Sequence, residues 1–244
     1  MATKITSNKR STKKSSSSFM SRLRSIVLQL ILWFIGLSLF LVVFFKFVPV
    51  PFTPLMLIRA IENKLEGKPV YFNHDWESLE NISINLQKAV IASEDGLFLK
   101  HNGFDFKALQ KAYKNNERGR RIKGGSTISQ QTAKNVFLWP GRSYVRKGLE
   151  AYFTVLIELI WGKERIMEVY LNSIEMGDGI YGAQAAAEHW YRKDAANLTP
   201  RDAAGIAAIL PSPRKFNATS SSSYINNRKD KIVRVMRTIG KIEY

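Results

Sequence analysis

Apolar positions follow two regimes along this chain. From Ile26 to Phe45 the run IVLQLILWFIGLSLFLVVFF carries no charged residue. At about 1.5 Å per helical residue it reaches roughly 30 Å, the thickness of a bilayer's hydrocarbon core, and so predicts a transmembrane helix. Beyond it, apolar residues recur at intervals of three and four, as in amphipathic helices packed on a core. Thr53-Pro54 supplies a cap and a first-turn proline for a helix whose Leu55, Ile58, Ile61 and Leu65 share a face. That face suits either the membrane surface or the domain core. Further helices are predicted from a Ser83 cap through Ile91, and over 106–114, 127–138, 144–161, 163–172, 183–191, 200–210 and 225–240. No strand pattern or internal repeat competes with them, apart from a short hairpin around Val70 to Phe72. The expected fold is mostly α, with one membrane helix at the N-terminus.

Charge sets the direction of that helix. Lys4, Lys9, Arg10, Lys13, Lys14, Arg22 and Arg24 precede it with no acidic residue among them, which favours a cytoplasmic N-terminus. The run is longer than a usual signal-peptide core and VPVPF is a poor cleavage site, so an uncleaved anchor is favoured over a cleaved leader. Four segments follow: a basic cytoplasmic tail (1–25), the anchor (26–45), a membrane-proximal segment (46–67) and an extracytoplasmic domain (68–244). The net charge of +17 is partly the tail's, and about +9 remains outside, which suits anionic head groups or polyphosphates. Nucleic acid is not expected, since no recognition helix or zinc-finger spacing accompanies the charge. The chain has no cysteine, which excludes disulfides and thiolate metal sites.

Three blocks carry candidate chemistry. EDGLFLKHNG (94–103) opens on the carboxylates Glu94 and Asp95, at the end of a predicted helix where the dipole disfavours negative charge. KGGSTISQQTAKN (123–135) offers Gly124 and Gly125 for close backbone approach, and Ser126 or Thr127 as a helix cap. Its Gln130, Gln131 and Lys134 lie within about one helical turn, and Asn135 closes the block. In RKGLE (146–150), Arg146 and Lys147 precede Glu150 by four and three residues, so all three share a face. The basic, glycine-containing stretch 115–126 is expected to grip an anionic or sugar-like substrate. Together the blocks supply a base, amide and hydroxyl donors, and fixed cations, which sugar transfer from a phosphate-linked donor requires.

The succession EDGLFLKHNG, GGSTISQQTAKN, RKGLEAYF, KERIMEVYLN and GIYGAQAAA resembles the peptidoglycan glycosyltransferases, and best their short membrane-anchored members, the monofunctional biosynthetic transglycosylases. The resemblance covers most of residues 50–240. It implies a lysozyme-like, two-lobed helical domain that polymerises lipid II at the outer face of the cytoplasmic membrane. It also implies a role for Glu94 as the general base toward the acceptor's GlcNAc 4-hydroxyl, which attacks C1 of the donor MurNAc with inversion. Lys134, Arg142 and Lys147, with Arg146 beside them, would receive the departing diphosphate. Glu150 would organise that site through its basic neighbours or a bound Mg²⁺ or Mn²⁺. The resemblance further implies substrate contacts for Ser126, Gln130, Gln131, Gly124 and Asn135, and for Asp95 a place at the acceptor or the basic loop. His101, Phe98, Gly103, Lys163 and Asn172 are expected to be supports. Expected partners are lipid II, the growing lipid-linked glycan, membrane lipids and cell-wall synthesis or division proteins. Two other readings stand beside this one: a lysozyme-like peptidoglycan hydrolase, and a non-catalytic wall-binding anchor. The cation cluster argues against the hydrolase, which protonates a sugar oxygen and needs no diphosphate site.

Overall fold

In a bilayer every backbone polar group needs an internal partner, so an uncharged run of this length has the helix as its one-segment solution. The computed structural model describes residues 14–67, 73–110, 125–141 and 143–244, with side chains from residue 19 onward. Helix α1, Lys14–Phe47, includes a stretch, Phe19–Phe47, long and apolar enough to cross a membrane. Residues through Phe44 form one compact unit and Phe45–Tyr244 a second.

The second unit is mostly helical among its described residues. Helix α2 is Pro54–Leu65, α3 is Ile84–Glu94, α4 is Ile128–Phe137 and α5 is Tyr144–Ile160. Helix α6 is Gly162–Ser173, α7 is Ala183–Tyr191, α8 is Pro200–Ile209 and α9 is Ser223–Met236. The starts follow the caps: Thr53, Thr127 and Thr199 each form a capping box, with proline in the first turn of α2 and α8. Between α5 and α6, Gly162 at φ +78° makes the break expected between 144–161 and 163–172. Helix α9 starts two residues before the expected Ile225 because the Ser222 hydroxyl accepts the Ile225 N–H.

The main departure from expectation is a small sheet. Strands β1 (Asn73–His74), β2 (Glu175–Gly177) and β3 (Ile180–Tyr181) lie in the order β1-β3-β2, with β1 parallel and β2 antiparallel to β3. Strands of two or three residues are too short to show a period of two, so their pattern is invisible in sequence. The expected hairpin over 70–72 lies outside the described residues.

Two groups of helices carry the site. Helix α3 packs against α8 and α9, while α4 packs against α2, α5 and α6. Their cores include fully buried Leu86, Val90 and Ile206 on one side, and Ile128, Ile157 and Met167 on the other. Arg165 of α6 donates to the carbonyls of Phe45, at 3.1 and 2.9 Å, and Val48, at 2.7 Å. It thereby satisfies acceptors that the end of α1 leaves without helical partners.

Candidate active site

The first block folds into the end of α3, whose last residue is Glu94 and whose C-cap is Asp95. A carboxylate there meets the negative end of the helix dipole and needs donors. Two are supplied: Ser93 Oγ to Glu94 Oε1 and Gln131 Nε2 to Glu94 Oε2, each at 3.2 Å. Asp95 is only 6% exposed. Its Oδ2 accepts the Ile128 N–H at 3.0 Å, and His101 Nε2 lies 3.0 Å from both its oxygens. Asp95 therefore ties the end of α3 to the start of α4, and its oxygens are engaged inside the fold. His101 is its support.

The second block begins α4. Thr127, not Ser126, is the cap: its hydroxyl accepts the Gln130 N–H at 3.2 Å and donates to the Gly103 carbonyl at 2.6 Å. Gln130 Oε1 accepts the Thr127 N–H at 3.0 Å, so that amide's carbonyl belongs to the cap. Gly103 sits at φ +86°, and a Cβ there would come within 2.7 Å of Thr154 Cγ2, so the turn requires glycine. Gly124 and most of the basic stretch lie outside the described residues, as does Arg142.

Gln131 is the link to Glu94. While its Nε2 donates to the carboxylate, its Oε1 accepts the Tyr170 hydroxyl at 3.4 Å. A carboxylate only accepts, so the amide must turn its NH₂ edge to Glu94, and the tyrosine, donating to the carbonyl edge, holds it there. Tyr170 is fully buried. Burial, with Glu94 and Asp95 nearby, raises its pKa well above a tyrosine's ordinary value, so it stays a donor across neutral and mildly alkaline pH. Tyr170→Phe removes the donor without changing shape. Losing one such bond costs about 1 kcal/mol and lowers the melting temperature by a few degrees, while an amide left free to turn lowers kcat about tenfold with KM nearly unchanged. A variant with wild-type kcat would show that the tyrosine does not orient the amide.

The third block folds as the start of α5, capped by Ser143. Glu150 is 3% exposed. Arg146 Nη1 donates to its Oε2 at 2.9 Å and Lys147 Nζ to its Oε1. Lys134 of α4 comes next: burial lowers its pKa, Glu150 opposes that shift, and Arg146 and Lys147 reinforce it. Three cations thus surround one carboxylate, a local positive excess that a diphosphate would neutralise. Both Glu150 oxygens are engaged by cations, and no group of three or more potential metal ligands occurs among the described residues. The described residues therefore do not fit a resident divalent ion. Behind the cluster, Glu158 of α5 accepts from Lys163, at 2.7 Å, and from Ser129, bracing α5 against α4 and α6. Asn172 accepts the Glu77 N–H at 2.9 Å and donates to the Glu77 carbonyl at 2.8 Å, holding the approach to α3.

A cavity of about 490 Å³ opens over these groups. Around the start of α4 it takes Ser126, Gln130, Gln131, Lys134 and Asn135. From α5 it takes Arg146, Lys147 and Glu150. Glu94 does not itself line the cavity; it is bonded by Gln131, which does, one helical turn before Lys134.

The transglycosylase family profile matches residues 62–237. The chain belongs to the transglycosylase family. Its relatives include biosynthetic peptidoglycan transglycosylases from three bacteria. That of Caulobacter vibrioides is 56% identical over 210 residues, 86% of this chain and 89% of the relative. That of Pseudomonas syringae pv. syringae is 51% identical over 224 residues, covering 92% and 94%. That of Bacteroides thetaiotaomicron is 52% identical over 212 residues, covering 87% and 86%. Membership agrees with the mostly helical fold, for which a lysozyme-like architecture was expected.

Three residues of this transglycosylase have places at the site that the sequence does not show. Tyr170 sits in the apolar stripe of α6 with Ile166 and Val169, and periodicity assigns all three to the core. Arg59 and Glu175 line the cavity from α2 and β2. Neither falls in a block with the other charges, and only the tertiary fold brings them there.

Proposed function

We infer that this chain is a peptidoglycan glycosyltransferase that polymerises lipid II into glycan strands. The observation that carries the reading is the placement of Gln131 and Lys134 on one helix. Gln131 holds Glu94, and Lys134 stands with Arg146, Lys147 and Glu150 across the same cavity. The residue that holds the proton acceptor and a residue that would receive the diphosphate are therefore a helical turn apart.

In the proposed reaction, Glu94 accepts the proton of the acceptor's GlcNAc 4-hydroxyl. That oxygen bonds to C1 of the donor MurNAc with inversion as the bond from C1 to the diphosphate oxygen breaks. Lys134, Arg146 and Lys147 stabilise the charge on the leaving group, with Arg142 as a further donor from the sequence. Glu150 keeps Arg146 and Lys147 in place. Ser126 and Asn135 remain candidate sugar contacts, and Asp95 and Gln130 act through the helix start they hold.

The proposed arrangement in the cell is a single-pass anchor in the cytoplasmic membrane, its basic tail (1–25) inside and the glycosyltransferase domain (68–244) outside. Cell-wall synthesis or division proteins are proposed partners, on the family's implication alone. Purified protein fed labelled lipid II should yield polymer resolvable by size, and digestion of preformed glycan instead would favour the hydrolase. Tethering raises the local concentration of enzyme at the substrate's surface. Removing residues 1–44, which spares the Arg165 contacts to Phe45 and Val48, should lower activity on vesicle-embedded lipid II more than on detergent-dispersed lipid II. Equal losses would deny the anchor that role.

A further inference from the structure

Ser93 stands between two acceptors with one hydrogen to give. Its Oγ lies 3.2 Å from Glu94 Oε1 and 3.2 Å from the carbonyl oxygen of Ala207 on α8. A hydroxyl donates once, so serine cannot be the donor in both bonds at the same time. The demand from Ala207 is set by the sequence. A helical carbonyl ordinarily accepts from the N–H four residues on, and four residues after Ala207 stands Pro211, which has none. Ala207 is fully buried, so an unmet carbonyl there is costly. Ser93 supplies the donor that proline withholds.

The other side of Glu94 allows no such exchange. Gln131, held by Tyr170, turns its NH₂ edge to Oε2 and donates whatever the charge on Glu94. The charge of Lys134 reaches Glu94 from α4, and Tyr170 of α6 stays neutral. Asp95 is engaged by Ile128 and His101. From α8 comes the Ala207 carbonyl, since Arg201 and Asp202 in its first turn are paired with Asp230 and Lys193. A change of charge on Glu94 is therefore answered on the Ser93 side.

While Glu94 is ionised it draws the serine hydrogen, because bonds to an ionised acceptor are the stronger ones, and the Ala207 carbonyl is left short. Once Glu94 carries a proton on Oε1, that O–H can donate to Ser93 Oγ, and the serine can turn its own hydrogen to Ala207. Each polar group in the row then has a partner. We propose that Ser93 is a positioning residue for the general base, reversing its hydrogen bond as Glu94 is protonated and so favouring the protonated state. It rests on the glycosyltransferase reading, with Glu94 as base, and adds the group that receives the neutral acid. The proton comes from the acceptor sugar's hydroxyl, whose electron pair forms the bond to C1, and the serine keeps its own hydrogen throughout. Because the gain appears only as the base is protonated, it acts on kcat and leaves substrate affinity alone.

The test is polymerisation of labelled lipid II by the full-length protein in detergent, run in H₂O and in D₂O. Ser93→Ala should lower kcat about fivefold, the equivalent of one hydrogen bond, with KM unchanged and a larger solvent isotope effect than wild type, because proton transfer then limits more of the rate. Ser93→Thr keeps the hydroxyl and should recover most of the loss. Ser93→Cys, close to serine in size but a weak hydrogen-bonding group, should resemble the alanine variant. A mere tie between α3 and α8 would lower the melting temperature of Ser93→Ala and leave the isotope effect at its wild-type value, and that result would overturn the assignment. So would a folded Ser93→Thr protein as slow as Ser93→Ala. Wild-type protein that makes no polymer would sink the glycosyltransferase reading and this role with it, whereas polymer from wild type beside an unchanged kcat in Ser93→Ala would sink this role alone.

Discussion

Replacing Glu94 with glutamine is expected to leave a folded protein that makes no measurable glycan from lipid II. The substitution keeps the shape of the side chain, and the amide oxygen can still accept from Ser93 or Gln131, which now bond the carboxylate at 3.2 Å. What it removes is the capacity to take a proton. Positioned general bases contribute about 10²–10⁴-fold. A loss of at least that size, which leaves no polymer visible in a size-resolved polymerisation assay, with the melting temperature held, is the expected outcome. Near-normal yield would assign the base elsewhere, and a wall-binding anchor predicts no effect at all. Glu94→Asp should fall between, since the shortened side chain retracts from Gln131.

The second large effect is expected at Glu150, and it should fall on stability and activity together. Glu150→Gln deprives the Arg146 guanidinium of a charged partner 2.9 Å away, in a pair whose side chains are 10% and 4% exposed. Breaking a buried pair by removing one partner costs about 3–5 kcal/mol. For a chain of this size that lowers the melting temperature by roughly 10 °C. Lys147 adds less to that loss, because its side chain is 48% exposed and solvent screens it. The exposed lysine also separates the two roles. Lys147→Ala should keep the fold, with a melting temperature near wild type, while slowing diphosphate departure and lowering kcat. A Lys147→Ala protein with normal turnover, beside a destabilised Glu150→Gln, would make the cluster a structural brace only.

The parts of the site legible in sequence are those whose residues sit close together along the chain. Arg146, Lys147 and Glu150 share a helical face by spacing alone, and the structure pairs them as that spacing requires. Glu94 was readable as a helix-end carboxylate inside a distinctive block. Its donor was not, because Gln131 lies 37 residues away and an amide carries no mark of which edge it will present. The tie that Asp95 makes depends on the same long-range meeting of α3 with α4, where its carboxylate accepts the Ile128 N–H, and no spacing within its own block shows it. Glu175 is the extreme case: a lone carboxylate in a strand of three residues, brought to the cavity by pairing with Tyr181. Helix starts were legible where a cap and a first-turn proline mark them, as at α2 and α8, since these act locally.

The account turns on sugar oxygen being activated at Glu94 while a diphosphate departs toward Lys134, Arg146 and Lys147. The most direct test counts both products at once: purified full-length protein is given lipid II, and released polyprenyl diphosphate, new glycosidic bonds and new reducing ends are measured in the same reaction. One diphosphate released for each bond formed, with no growth in reducing ends and neither product in Glu94→Gln, is the predicted result. Reducing ends that accumulate without bond formation, or bond formation that persists in Glu94→Gln, would contradict it.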